Sequence, residues 1–227
     1  MYPSNPSIHG ILEELIQCQP LDLLQHSHSV ARLAASLAEA AGCSASEQKR
    51  IHVGSLLHDI GKQFIPSSIL EKKTKLSPVE FSHIQQHPWT GYAYLINFVS
   101  DATILNTILY HHERWNGTGY PYGLEQEEIP LGARVCALAD VWDALTSDRC
   151  YRSAWSITQA VDLLWAGAGS MFDPHLTFQF LTIIEAESKS GNGANSQEQP
   201  HFPITGQSVS ALKHPPLTNV RRGNRTV

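Results

Sequence analysis

The chain has 227 residues, of which 42% are hydrophobic and 16% are charged, and its formal net charge is −5. This composition is typical of a globular protein and excludes a chain that is disordered throughout. The acidic balance argues against a protein that binds a nucleic-acid polymer through a broad basic face. No apolar run approaches the roughly 18 residues that a membrane helix needs, and the N-terminus lacks the features of a signal peptide.

The cysteines and the charge distribution predict the compartment and the domain organisation. The four cysteines, Cys18, Cys43, Cys136 and Cys150, show no paired spacing, so we expect reduced thiols and a cytoplasmic protein. Residues 1–187 have a net charge of −9, whereas residues 188–227 have a net charge of +4 and are rich in Gly, Ser, Asn, Gln and Pro. We therefore expect a lead helix at 1–19, one domain at 20–187 and a disordered basic tail at 188–227.

The first half of the chain has helical periodicity and recognisable helix ends. The stretch IHGILEELIQCQ predicts a short lead helix, and LDLLQHSHSVARLAASLAEAAG predicts a long helix that ends at Gly42. The next helix is expected to begin at Ser44 or Ser46 and to stop near Gly61.

Two further helices are predicted around a His-Pro dipeptide. Residues 77–80 (SPVE) form a capping box with proline at the first helical position, and they predict the helix that carries His87. Because the residue before a proline disfavours helical geometry, that helix is expected to stop at His87. A separate helix is predicted over Gly91–Phe98.

The second half of the chain continues the helical pattern. The stretch TILNTILYHH predicts a helix that ends at His111 and His112, before the loop ERWNGTGYP. The stretch LGARVCALADVWDALTSDR is apolar on nearly every side, so this helix should be central and buried. Residues 172–174 (FDP) predict the start of a last helix that runs to about Ala186. With no alternating strand pattern, the predicted fold is all-α.

Helical spacing separates the histidines that face the core from the others. His26 aligns with Val30 and Leu33 and should face the core, whereas His28 should not. His83 has polar neighbours and is assigned to the surface. The histidines expected to face the core are His26, His58, His87, His111 and His112.

Two carboxylates accompany these histidines. Asp59 follows His58 directly, and Asp140 interrupts an apolar helix. Burying an unpaired carboxylate costs several kcal/mol, so Asp140 must either bind a metal or form a salt bridge with an arginine such as Arg134 or Arg149.

Together these side chains predict a site for divalent metal ions. Five imidazoles and two carboxylates suit Fe, Mn, Ni, Co or Zn, with iron or manganese favoured. Seven ligands are too many for one ion, and Asp59 is the natural bridge because it lies between the early and late ligands. Two ions about 3.5–4 Å apart are a common apparatus for phosphoester hydrolysis. The sequence has no serine nucleophile elbow, P-loop or dinucleotide-binding fingerprint.

Over residues 20–186 the sequence resembles the HD-GYP domain, a branch of the HD metal-dependent phosphohydrolases. The motifs that carry the resemblance are HSHSV (26–30), LLHDIGK (56–62), HP (87–88), HHERWNGTGYP (111–121) and ADVWDALTSDRCYR (139–152). The resemblance implies an HD-domain helical bundle with an embedded dinuclear metal site. It also implies hydrolysis of cyclic di-GMP to pGpG, and often on to GMP, by in-line attack of a metal-bridging hydroxide.

The resemblance also assigns roles to individual residues. It implies one ion held by His26, His58, Asp59 and Asp140, and a second held by Asp59, His87, His111 and His112. Lys62 resembles the residue that holds the scissile phosphate, so Asp59 and Lys62 are the expected catalytic pair. Tyr120, Arg149 and Arg152 match positions that contact substrate. In that family, the loop that contains Tyr120 is also proposed to touch diguanylate cyclase domains.

The sequence departs from the family pattern at three positions. Ser29, Asn116 and Cys150 replace the usual Arg, Asp and Pro, and none of these departures removes a ligand. Cys150 is expected to loosen the loop that carries Arg149 and Arg152. About 20 residues precede the domain, too few for a fused receiver or sensor, so we expect a separate sensor or receiver protein to regulate it.

A third ion and two other functions stay open at this stage. Asp22 lies one helical turn before His26, and Asp143 one turn after Asp140, so both are candidate ligands for a third ion; alternatively, Asp22 only supports His26 or begins the helix. The alternative functions are a phosphohydrolase for another nucleotide, such as a mixed cyclic GMP-AMP, and a catalytically silent adaptor that binds a cyclase. Retention of every ligand and of Lys62 favours an enzyme.

Overall fold

The computed structural model describes residues 21–148 and 153–191, with side chains from Leu23 to Lys189 within those ranges. Apart from two isolated β-bridges, the secondary structure there is helical, which confirms the predicted all-α fold. The helices are α1 (Leu21–Ala40), α2 (Ala45–Leu56), α3 (Ser67–Leu70), α4 (Pro78–Ile84), α5 (His87–Leu95), α6 (Ala102–Tyr110), α7 (Leu131–Thr146), α8 (Ile157–Gly167) and α9 (Pro174–Gly191). Two 3₁₀ segments, Ile60–Phe64 and Gln126–Glu128, lie between them. Within the described residues, no helix combines the length and apolarity needed to cross a membrane.

Local sequence determines how the first two helices end and begin. Gly42 adopts a φ of 82° just after α1, and its amide donates to the carbonyl of Glu39 at 2.9 Å. Glycine reaches this conformation without steric cost, so α1 ends where the sequence predicts. Ser44, not Ser46, is the N-cap of α2, and its hydroxyl accepts a hydrogen bond from the amide of Glu47.

Helix α7 is central, as predicted, and packs against α1, α2, α6, α8 and α9. Its buried side chains share one apolar cluster with Leu33 and Leu37 of α1 and Phe180 of α9. A second apolar cluster joins α5 and α6 and includes Leu57, Leu95 and Ile108. This arrangement carries Asp140 of α7 to the same part of the bundle as the helix ends that bear the histidines.

The start of α5 differs from the prediction. The capping box at Ser77 is confirmed, but α4 ends at Ile84, and His87 is the first residue of α5. Pro88 fits there because amides in the first helical turn have no intrahelical acceptor. The predicted helix Gly91–Phe98 is therefore wrong in its bounds.

Helix α8 was not predicted from the sequence. It begins at a capping box formed by Ser156 and Gln159, and it buries Ala160, Val161 and Leu164 against the core. The sequence carries both signals, the capping box and the helical spacing of the apolar residues.

The last helix extends beyond its predicted end. Asp173 caps α9 as expected, since its side chain accepts from the amides of His175 and Leu176. The helix continues to Gly191, and Lys189 forms an ion pair with Glu185 at 2.7 Å, so residues 188–191 are helical rather than part of a disordered tail. The predicted lead helix at 1–19 and the remainder of the tail from residue 192 lie outside the described residues.

Candidate metal centre

Helix ends and two helix faces bring the predicted ligands together. His58 and Asp59 follow α2, His87 opens α5, and His111 and His112 follow α6. His26 and Asp140 project from the middle of α1 and α7. The side chains form two groups in which the ligand atoms lie within 4.8 Å of one another: Asp59 with His87, His111 and His112, and His26 with His58 and Asp140.

A glycine allows the close approach between Asp59 and His87. A Cβ atom on Gly61 would lie 2.0 Å from the carbonyl oxygen of His87, so only glycine permits this backbone contact. The carboxylate oxygen Oδ1 of Asp59 consequently lies 3.2 Å from Nε2 of His87.

Three of the histidines are oriented in the same way by backbone carbonyls. Nδ1 of His58, His87 and His111 lies 2.7–2.8 Å from the carbonyl oxygen three residues earlier in the chain. A carbonyl oxygen only accepts hydrogen bonds, so Nδ1 carries a proton and, in the neutral ring, Nε2 presents a lone pair. Nε2 of His87 and Nε2 of His111 lie 3.2 Å apart, so two lone pairs face each other when both rings are neutral. A cation is the natural partner for such a pair.

Two fully buried acceptors at the centre also lack a hydrogen-bond partner within the protein. They are Nε2 of His58 and Oδ1 of Asp59. Leaving a buried polar atom unsatisfied costs about 1–3 kcal/mol, and a bound ion or water is one explanation for such atoms in folded proteins. The mixture of imidazole and carboxylate donors therefore fits divalent metal ions.

Asp59 lies between the two groups of candidate ligands. Its Oδ1 faces His87, and its Oδ2 lies 3.3 Å from Nε2 of His58 and 4.0 Å from Nε2 of His26. Burial alone would raise the pKa of Asp59, but His58 and Lys62 outweigh it and hold the pKa well below its usual range. Asp59 is therefore an anion whose two oxygens face the two groups of ligands.

Asp140 pairs with histidines and not with Arg134, one of the two arginines considered from the sequence. Its Oδ1 lies 3.1 Å from Nε2 of His26, whereas Arg134 is bound to Asp173 at 2.7 Å. The Arg134 alternative is therefore wrong, and Arg149 lies outside the described residues. The Asp140 side chain is 18% exposed, so this end of the site reaches the surface.

The pKa values of the histidines are shifted in opposite directions in the two groups of ligands. Burial lowers the pKa of His111 well below its usual range and that of His112 to about 3, so both rings are neutral and can act as ligands. Burial also lowers the pKa of His26, but hydrogen bonds to Asp140 and Asp143 outweigh it and raise the pKa to about 9. In the absence of metal, His26 thus holds a proton between two carboxylates, and a divalent cation at Nε2 would replace that proton.

Glu113 holds the loop that follows the histidine pair. Its buried carboxylate accepts hydrogen bonds from the amides of Tyr122 at 2.7 Å, Gly123 at 3.1 Å and Leu124 at 3.1 Å. The loop then folds back, so that Tyr120 stacks on His112 with ring centroids 4.8 Å apart. Sequence reasoning assigned Glu113 no role, although a carboxylate between a histidine pair and a Gly-rich loop was a usable signal.

We expect Glu113→Ala to release this loop without removing a metal ligand. The substitution removes the acceptor of three loop amides, and a hydrogen bond to a charged group contributes about 1.5–3 kcal/mol. Hydrogen exchange at Tyr122, Gly123 and Leu124 should accelerate at least tenfold, since about 1.4 kcal/mol corresponds to a factor of ten. Glu127→Ala, at an exposed position near the same loop, is the control. Unchanged protection of the three amides in Glu113→Ala would contradict this role.

The other predicted residues occupy distinct places. Lys62 is 30% exposed, and its Nζ lies 2.5 Å from Oδ2 of Asp59. Asp143 bonds to Nδ1 of His26 at 2.6 Å. Asn116 stabilises the loop by accepting from the amide of Thr118 at 3.1 Å. The side chain of Asp22, together with Arg149, Cys150 and Arg152, lies outside the described residues.

Comparison with known proteins identifies the family. The family model described as HD domain matches residues 10–176. The chain belongs to the HD domain family. This finding confirms the family resemblance stated from the motifs.

Curated relatives and solved structures agree with an HD domain. The chain is 37% identical over 178 residues to the cyclic di-GMP phosphodiesterase PA4108 of Pseudomonas aeruginosa, covering 76% of this chain and 42% of the relative. It is 35% identical over 159 residues to the 3′3′-cGAMP-specific phosphodiesterase 1 of Vibrio cholerae, covering 70% of this chain and 37% of the relative. The chain thus spans about two fifths of the length of these relatives.

The fold also matches a solved structure. Bd1817, an HDG"Y"P protein from Bdellovibrio bacteriovorus, superimposes with a TM-score of 0.60 at 22% identity. The match covers 77% of this chain and 56% of that chain. At this level of identity, the likeness supports the HD-domain fold alone.

Proposed function

We propose that this HD domain is a metal-dependent phosphodiesterase that hydrolyses cyclic di-GMP to pGpG, with GMP as a candidate further product. The observation that carries the proposal is the position of Asp59, whose two oxygens face two separate groups of histidine ligands. A shared carboxylate between two such groups suits a pair of ions in phosphodiester hydrolysis. Identity of 37% to a cyclic di-GMP phosphodiesterase supports the choice of substrate.

The proposed cofactors are two divalent ions, with iron or manganese preferred and nickel, cobalt or zinc also compatible with the donors. His26, His58, Asp59 and Asp140 would hold one ion, and Asp59, His87, His111 and His112 the other. A third ion held by Asp22 and Asp143 is a separate proposal. The bond between Asp143 and His26 at 2.6 Å argues against it.

The chain's own side chains have distinct proposed roles in the reaction. When bound, the ions supply Lewis acidity and lower the pKa of a water nucleophile. Lys62 binds the scissile phosphate from the exposed side of Asp59, since a compact ammonium suits a point contact to a phosphate oxygen. Tyr120, which covers His112, borders the substrate at the rim of the site. Arg149 and Arg152 are proposed to contact the substrate as well.

Two alternatives remain testable. A mixed cyclic GMP-AMP is the second candidate substrate, and the 35% identity to a phosphodiesterase specific for 3′3′-cGAMP favours it. A silent adaptor that binds diguanylate cyclase domains through the loop that contains Tyr120 is the non-enzymatic candidate, and the intact set of seven candidate ligands argues against it. We further propose a cytoplasmic location and regulation by a separate sensor or receiver protein.

Nucleotide chromatography distinguishes these candidates. The full chain is purified without oxygen, its metal content is measured, and it is incubated separately with cyclic di-GMP and 3′3′-cGAMP. About two equivalents of metal, with pGpG or GMP formed preferentially from cyclic di-GMP, would support the proposal. Faster hydrolysis of 3′3′-cGAMP would select the second substrate. Fully metal-loaded protein that leaves both nucleotides intact would contradict an enzymatic function.

A further inference from the structure

The hydrogen-bond partner of Nδ1 differs between His26 and three other histidines of the centre. His58, His87 and His111 lie at helix ends, and their Nδ1 atoms contact carbonyls of Ser55, Ile84 and Ile108. Each of these carbonyls belongs to the last turn of a helix, where carbonyl oxygens lack an intrahelical partner. Their orientation is therefore supplied by the local backbone.

His26 is placed differently, because it lies within α1, which spans Leu21–Ala40, where the backbone carbonyls are bonded along the helix. Asp143 of α7 supplies the acceptor instead, with its Oδ2 2.6 Å from Nδ1 of His26. Asp143 is only 4% exposed, and its other oxygen accepts from the hydroxyl of Ser147 at 3.1 Å.

The two carboxylates on His26 occupy opposite sides of the ring. Nε2 faces Asp140 at 3.1 Å, in the group that includes His58, whereas Nδ1 faces Asp143. A carboxylate on the outer nitrogen fixes the tautomer and the ring orientation of a ligating histidine and makes it a stronger donor. Backbone carbonyls, being neutral, do this less strongly.

We infer that Asp143 is a positioning residue that aims Nε2 of His26 at the ion of the His26–His58–Asp140 group and strengthens binding of that ion. The ion of the Asp59–His87–His111–His112 group receives no such carboxylate from Asp143. Asp143 therefore makes the two metal positions unequal in affinity. This inference rests on the metal centre of the proposed function and is independent of the nucleotide substrate.

Metal titration of the full chain tests this role without any measurement of hydrolysis. Metal-free protein and its Asp143→Ala and Asp143→Asn variants are titrated with Mn²⁺ alone. Asp143→Ala should weaken one class of site by about 10- to 100-fold, as for other outer carboxylates, and leave the other class unchanged. Asp143→Asn should have a smaller effect, because its amide oxygen still accepts from Nδ1–H.

Two further variants identify the affected position and control for charge. His111→Ala should abolish the other class and retain the class that Asp143 strengthens. Asp162→Asn, at an exposed position on α8, should bind Mn²⁺ like the parent chain. Thermal unfolding followed by circular dichroism verifies that each variant is folded, and Asp143→Asn carries the test if Asp143→Ala does not fold.

Two outcomes would overturn the inference. Unchanged Mn²⁺ affinity in both variants would show that Asp143 does not act through His26. Three bound ions in the parent chain and two in both Asp143 variants, with unaltered affinity for those two, would make Asp143 a direct ligand. Failure of the chain to hydrolyse any cyclic dinucleotide would leave the titration result intact, so the two proposals are tested separately.

Discussion

Asp59→Ala is expected to reduce hydrolysis of cyclic di-GMP by several orders of magnitude and to remove at least one metal ion. Asp59 is the carboxylate placed between the two ligand groups, with contacts of 3.2 Å to His87 and 3.3 Å to His58. Without it, each group loses an anionic ligand, and activation of water by a pair of ions is lost. Metal analysis and nucleotide chromatography on the same samples measure both effects.

Asp162→Ala is the matched control for this prediction, since it removes an exposed aspartate of α8, a helix that carries none of the candidate ligands. It should retain full metal content and turnover. Asp59→Asn provides a finer comparison, because an amide offers one oxygen in place of two equivalent carboxylate oxygens. An Asp59→Ala variant with full metal content and near-normal turnover would exclude the dinuclear mechanism.

Lys62→Ala is expected to retain the metal ions and to slow turnover by about 2–4 kcal/mol of barrier, the range for loss of one preorganised electrostatic donor. The Lys62 ammonium lies 2.5 Å from Oδ2 of Asp59, an oxygen that also faces the histidines. An ammonium at that oxygen repels a cation, so its removal should not weaken metal binding. The expected defect is therefore confined to the phosphate contact.

Metal content and steady-state kinetics together test the role of Lys62. The exposed Lys73→Ala serves as the control, because it removes an equal charge at a surface position. A loss of metal in Lys62→Ala would show that Lys62 supports Asp59 rather than the substrate. Turnover equal to that of Lys73→Ala would remove Lys62 from the catalytic machinery.

The helix bounds show where local sequence is a sufficient guide and where it is not. The end of α1 at Gly42 and the capping box at Ser77 depend on interactions within a few residues, and both are correct. The position of His87 is different, because a His-Pro pair is compatible with the last residue of one helix and with the first residues of the next. Packing of α5 against Gly61 selects the second arrangement.

Residue chemistry and helical spacing were enough to select the seven candidate ligands. Neutral imidazoles and carboxylates on core-facing positions are expensive to bury without a partner, so their presence in apolar helices already pointed to a cation. The same reasoning placed His28 and His83 at the surface, where the structure also has them.

Partnerships between distant segments could be decided only by the tertiary structure. His26 and Asp143 are separated by 117 positions in the chain, and no local pattern indicates that α7 would present Asp143 to the outer nitrogen of His26. The packing of the helices likewise makes His26, and not Arg134, the partner of Asp140. The packing of the loop allows Glu113 to accept hydrogen bonds from three loop amides. The sequence determines which side chains need a partner, because the free-energy cost of removing a polar group from water is a property of each residue. The fold alone determines which partner lies within hydrogen-bonding distance.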